Sequence, residues 1–377
     1  MLSQYELKKK LQSVVLKLSK AKLNLPPIDN YPNVVEAVDF ETGVELLDEK
    51  DPIKILRRPQ NKDYRIASID SSSRYLRDAS INMVLVGAAS YSNVKGKKLG
   101  PYNVLTPFLG ISTYKDILVN FQNEAGIRIK NFVNEYFGED YKIDDMADEL
   151  RVESENLMLK ETINSHDLVV LDGPLYHTPL ELSTINLSNS SRYSHQKAYA
   201  KLVEDRISLL KDNIIGVVKR LENSYKLGKI EAISRILNKD VKGQKDPDIL
   251  KLIDLKLCKD KPYCLVGPIK LTFSSQIISN APDRYVYYLI VKNLVGMTSF
   301  FRIESIRIDA LENYTPYIIS RISERLIPTY IELADNLSKR VSSSLFILAY
   351  EIASRYLSII HDDKLEYYNE LKNITIT

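Results

Sequence analysis

Leu168-Val169-Val170-Leu171 is a short apolar run that stops on Asp172-Gly173-Pro174. A run of that length, closed by turn residues, fits a strand buried on both faces. Such a strand needs helices on either side of its sheet, which points to an α/β fold. Other segments repeat the pattern. Arg65–Asp70 reads as a strand that Ser71-Ser72-Ser73 breaks. Ile81–Ser90 reads as a second, buried strand, and Ile214–Val218 as another, ending in Lys219-Arg220. Tyr285–Val291 and Phe300–Ile308 read as late strands joined in a hairpin through Gly296. Helical spacing is expected over residues 2–23, 144–164, 194–212, about 316–326 and about 330–358, with a lysine-rich, mostly helical stretch over 230–262. Strands alternating with long helices predict a mixed sheet flanked by helices.

In the first helix, Leu7, Leu11, Val14, Val15 and Leu18 fall on one face. The other face carries Lys8, Lys9, Lys10, Lys17, Lys20 and Lys22, read as a solvated surface, with a docking arm as the sharper reading. Leu25-Pro26-Pro27 ends the helix because proline cannot continue the hydrogen-bond ladder. Residues 28–63 are irregular and acidic. Lys95-Gly96-Lys97-Lys98 reads as a basic turn. Residues 100–142 show no clear period except a helix expected around Phe121–Phe137. In the helix over 144–164, Asp144, Asp145 and Asp148 suit the positive end of the helix dipole.

The chain has 377 residues, room for two domains or one large domain with insertions. It can bury a sizeable core without a disulfide or a structural metal. Lysine plus arginine number 52 and aspartate plus glutamate 49, a net charge of +3, which excludes a polybasic binder but not a local basic groove. Cys258 and Cys264 are too few for a disulfide scaffold or a four-cysteine zinc site and read as a buried pair or ordinary thiols. A reducing, cytoplasmic setting is the simpler expectation. No apolar run reaches membrane-spanning length, and no signal-peptide core follows the N-terminal lysines. The 24 tyrosines read as packing residues before base-stacking ones.

There is no phosphate-binding P-loop, no G-x-S-x-G elbow and no H-E-x-x-H. His166, His177, His195 and His361 show no ligand spacing. What remains is carboxylates. Asp70 and Asp172 each end an apolar strand, and the helix between them carries Glu149, Glu153, Glu155 and Glu161. Strand ends of an open α/β sheet form the usual crevice for a site. Carboxylates held close repel unless a divalent cation neutralises them, and hard oxygen ligands select magnesium or manganese. Each aspartate taken singly also fits ordinary turn chemistry.

Ile66-Ala67-Ser68-Ile69-Asp70-Ser71-Ser72, Arg151-x-x-x-Glu155, Asp167 through Leu175, Ile214 through Lys219, Asp283-Arg284-Tyr285 and Phe301-Arg302-Ile303-Glu304 follow one another in this order. In these pieces the sequence resembles the NurA nucleases of archaeal DNA end resection. The resemblance implies an RNase H-like core within residues 64–377, behind an N-terminal segment over 1–63, with helical insertions at about 100–142 and 225–265. It implies that Asp70, Glu155 and Asp172 are manganese ligands (magnesium being possible), with Glu155 preferred to Glu153 for the arginine four residues before it. Lys219 matches a family lysine expected to contact phosphate. The family's Tyr-Pro pair, with a histidine seven residues after the proline, is matched by Pro328 but with Ile327 and Asp335 at the other two places. Asp335 would then be a fourth acidic residue of the catalytic site, and Tyr330 would stand in for the tyrosine at the DNA. The resemblance also implies a homodimer that works with the hexameric HerA ATPase on DNA ends, cutting single strands and resecting duplexes from the 5′ side in double-strand break repair. The alternative is a non-catalytic subunit that binds DNA or an ATPase.

Overall fold

A computed structural model of the chain describes residues 2–22, 25–28, 40–56, 63–121, 124–179, 182, 190–259, 261–293 and 296–375. In chain order these form α1 (Gln4–Ala21), β1 (Gly43–Leu46), β2 (Ile53–Ile55), β3 (Ile66–Asp78), β4 (Ile81–Ser92), β5 (Gly96–Gly100), β6 (Leu109–Ser112), α2 (Lys115–Leu118), β7 (Ile127–Arg128) and α3 (Ile143–Thr162). They continue with β8 (Leu168–Asp172), α4 (Ser190–Leu209), β9 (Ile214–Val218), α5 (Glu231–Leu237), α6 (Asp246–Leu257), β10 (Tyr263–Thr272), β11 (Arg284–Lys292), β12 (Thr298–Ser305), α7 (Ile308–Ser320), α8 (Thr329–Ala353) and α9 (His361–Thr375).

The strands form one mixed sheet in the order β1-β10-β11-β12-β9-β8-β3-β4-β6-β7, with β2 on β10 and β5 on β4. At its centre β3 pairs antiparallel with β4, and β4 antiparallel with β6. On its other side β3 pairs parallel with β8, and β8 parallel with β9. This order and these directions are consistent with the RNase H-like core that the resemblance implied. The parallel pairs explain why β8 and β9 read as unbroken apolar runs: helices cover both faces, so neither side is polar.

The α1 helix opens with a capping box in which Ser3 and Glu6 satisfy each other's backbone donors. The five apolar residues on the face picked out by the spacing are all buried, in one core with Met83 and Leu85 of β4 and Phe346 of α8, while Leu16 lies off that face and is exposed. Lys10 and Lys17 pair with Glu124, and Lys22 with Asp78, while Lys8, Lys9 and Lys20 are exposed.

Four expectations are corrected. The serines after Asp70 do not break the strand: β3 runs on to Asp78, paired with β4 from Ala67↔Ser92 to Asp78↔Ile81. The apolar β4 supplies a complete ladder, so pairing overrides the weak strand preference of serine. No helix spans Phe121–Phe137 among its described residues, where left-handed Gly126 and Asn134 interrupt any helical run; residues 122–123 lie outside the description. The segment over 100–142 is thus turns and short strands, with only the four-residue α2. The helix expected at 316–326 begins at Ile308 and ends at Ser320, with Pro316 inside it, and left-handed Leu326 shapes the loop beyond. The last correction concerns β1, β2, β5, β10 and α9, which periodicity does not reveal: Gly96, Lys97 and Lys98, read as part of a basic turn, lie in β5 and pair with β4, and only Lys95 is in the turn. By contrast, α5 and α6 form as expected between 230 and 262. Cys258 and Cys264 are a buried pair joined as a disulfide. Among the described residues no helix is long and apolar enough to cross a membrane.

Gly87 of β4 sets the distance between the sheet and α8. A Cβ there would lie 2.5 Å from the Ser342 backbone nitrogen and 2.7 Å from the Ser338 carbonyl oxygen. Gly87→Ala must therefore push α8 outward. We expect a loss of about 1–3 kcal/mol in urea unfolding, accompanied by weaker binding of Mn2+, because α8 carries part of the site described next.

Candidate metal centre

Successive strand residues face opposite sides of a sheet. On β3, Ser68, Asp70 and Arg74 face α8 and α9: Ser68 donates to the Tyr330 carbonyl, Asp70 meets Ser338, and Arg74 reaches Ser343 and Glu370. Ile69, Ser71 and Tyr75 face α3. On β8, Leu168 and Val170 pack in the core that holds Ile331 of α8, whereas Val169 and Leu171 pack with Val152 and Met158 of α3. Asp172 shares the parity of Val170. Because Ile69 pairs with Leu171 in parallel register, Asp70 and Asp172 emerge side by side on the α8 face.

Asp335, in the second turn of α8, completes the group. Asp70, Asp172 and Asp335 each offer an oxygen, and these atoms all lie within 4.8 Å of one another. Ser338, one turn beyond Asp335, donates a hydrogen bond to Asp70 Oδ2. Lys219, at the end of β9, places its Nζ 2.6 Å from Asp172 Oδ2. Burial, then repulsion from Asp172 and Glu155, pushes the Asp70 carboxyl up to about 7. Burial likewise raises Asp172 to about 6, with Lys219 opposing and Asp335 and Glu155 adding repulsion. Three converging carboxylates, two of them hard to ionise together, form a donor set suited to a hard divalent cation.

Glu155 is placed differently. It lies on α3, on the far face from Asp70, where Oε1 accepts from Ser71 Oγ at 2.6 Å and Oε2 from Arg206 at 2.9 Å. Burial works against its charge, but Arg206, Arg151 and Ser71 together hold the carboxyl below its ordinary value. The structure thus brings Asp335 into the triad, with Glu155 behind it as a neighbouring charge. Glu153 pairs with Arg128 at 2.6 Å. Arg206 is 2% exposed, and losing it would leave a buried carboxylate without its main partner. We expect Arg206→Met to cost about 3 kcal/mol in denaturant unfolding.

Tyr330 is half-buried, its ring 6.1 Å from that of Tyr91, and its backbone carbonyl accepts from Ser68 Oγ at 2.6 Å. Arg284, Arg302 and Glu304 are fully buried. Glu304 accepts from the Leu175 amide at 3.1 Å and from Arg302 Nε at 2.7 Å. They brace the turn after Asp172, where Gly173 adopts a φ of +141° that a side chain would resist. Sequence reasoning missed Ser338, Ser71, Arg206 and Lys339. Only Ser338 and Lys339 carried a local signal, standing three and four residues after Asp335 on one helix.

The NurA domain profile matches residues 64–340. The chain belongs to the NurA family. No match to a curated protein was found. Among solved structures, this NurA-family chain is similar to the NurA nuclease from Sulfolobus solfataricus at 13% identity, covering 82% of this chain and 90% of that one, with a TM-score of 0.48. A NurA bound to dAMP and manganese is similar at 9% identity, covering 75% and 85%, with a TM-score of 0.43. A NurA with manganese is similar at 8% identity, covering 88% and 94%, with a TM-score of 0.39.

Proposed function

We propose that this NurA-family chain is a divalent-metal-dependent DNA nuclease whose ion is held by Asp70, Asp172 and Asp335, with manganese as the cofactor and magnesium as its substitute. The observation that carries the reading is the convergence of these three carboxylates from β3, β8 and α8 on one face of the sheet. A divalent cation in such a site supplies Lewis-acid stabilisation of the charge that builds on phosphate oxygens and lowers the pKa of water.

The protein's own groups have separate tasks. Asp70, steadied by Ser338, and Asp172, on its braced turn, present oxygens from rigid strands. Asp335 closes the set from α8 and takes the place of the family histidine. Glu155 keeps the rear of the site negative while Arg206 anchors it. Lys219 is positioned to exchange Asp172 for a phosphate, and Tyr330 is the proposed contact for a base or sugar. We extend the proposal to action on single strands and 5′-to-3′ resection of duplex ends, as a homodimer working with a HerA-type hexameric ATPase in double-strand break repair, as the sequence resemblance implies.

The test is degradation of an end-labelled oligonucleotide by the purified protein, with Mn2+ added and then removed by EDTA. Metal-dependent shortening is expected. Absence of cleavage, together with tight binding of DNA or of the ATPase, would instead make the chain a regulatory subunit.

A further inference from the structure

Lys339 stands one turn after Asp335 on α8, with its Nζ 2.7 Å from Asp335 Oδ2. Lys219 makes the matching contact to Asp172 at 2.6 Å. Two ammonium groups therefore sit on two of the three carboxylates that converge. An ammonium and a divalent cation compete for the same oxygens, so a cation entering the site weakens the hold on each lysine. The Lys339 side chain is 50% exposed, whereas that of Lys219 is 23% exposed, so Lys339 is the freer of the two to leave.

We propose that Lys339 is a phosphate-binding residue of this site, resting on Asp335 in the metal-free protein and released to a nucleic-acid phosphate when a divalent cation takes Asp335. The proposal rests on the nuclease reading above and adds a substrate contact to it. The plain alternative is a surface ion pair between residues four apart on a helix, which would affect neither metal nor nucleic-acid affinity. Geometry favours the functional role. The pair shares its carboxylate with the triad, and the Lys339 side chain is more exposed than that of Asp335, so it is within reach of a strand of nucleic acid in solvent.

The test is Lys339→Gln in the full chain. Mn2+ affinity is read by calorimetry, and binding of a phosphorothioate-linked oligonucleotide by anisotropy over a range of salt. Mn2+ should bind about threefold more tightly, since a competing charge is gone. The oligonucleotide should bind more weakly, with the slope of log affinity against log salt shallower by about 0.7. Lys201→Gln is the control, removing an exposed lysine that pairs with Glu204 at 3.4 Å, and should move neither quantity. An unchanged salt slope or an unchanged Mn2+ affinity in Lys339→Gln would overturn the assignment. A wild-type protein that binds neither Mn2+ nor the oligonucleotide would instead overturn the nuclease reading itself.

Discussion

Asp172→Asn should lower Mn2+-dependent cleavage by about 10³-fold or more while leaving the protein folded. Asparagine keeps the shape of the side chain and the turn at Gly173, but not the charge a cation needs. In the metal-free protein the same change relieves repulsion, because burial and Asp335 and Glu155 already resist the charge on Asp172. Its unfolding temperature at pH 8 should therefore rise as its activity disappears. That opposite movement separates a metal ligand from a structural residue, whose loss lowers both. Asp70→Asn should behave alike, and Asp335→Asn should weaken Mn2+ binding to a similar degree. Glu155→Gln should act first on stability, since it strands Arg206 in a buried position. Cleavage by Asp172→Asn at the wild-type rate would end the case for the triad.

Metal affinity should climb with pH. The Asp70 and Asp172 carboxyls sit at about 7 and about 6, both above the ordinary value of 3.8. Between pH 4 and 7 the folded metal-free protein therefore holds more protons than the unfolded chain. The stability these two groups contribute is fully present only below about pH 3.8, where the unfolded chain is protonated as well, and is lost as pH rises through the folded-state values. A bound cation needs the carboxylates ionised, so protons compete with it. From pH 6 to pH 8, relief of that competition should raise Mn2+ affinity by about an order of magnitude, a change that belongs to the coupled pair and not to either residue alone. Calorimetric titrations at pH 6, 7 and 8 measure this directly, and the rise in unfolding temperature caused by Mn2+ should grow in step. A flat affinity across this range would mean that the ion does not displace these protons.

The order of buried strands and long helices was readable from short apolar runs, because burial on both faces leaves no polar alternation. So were Asp172 at the end of β8 and the five buried residues of α1, whereas Asp70 lies inside β3, which runs on to Asp78. Periodicity failed where pairing or backbone geometry outweighed local preference: at Ser71-Ser72-Ser73, which β4 draws into a long ladder, and around Asn134, whose left-handed backbone stops a helix. It also failed for β10, whose pairing with β1 and β2 comes from segments far upstream in the chain.

The residues themselves supplied the acidic inventory from Asp70 to Asp335, but left several partners possible. Folding made the choice. The two-residue repeat of the strands sends Asp70 and Asp172 to the α8 face and Ser71 to the α3 face. The close approach of α8 over Gly87 brings Asp335 and Ser338 to the aspartates, while Arg206 holds Glu155 behind them. Side-chain direction along a strand follows from sequence position, but which helix covers each face depends on contacts between residues more than 260 positions apart, such as Ser338 with Asp70.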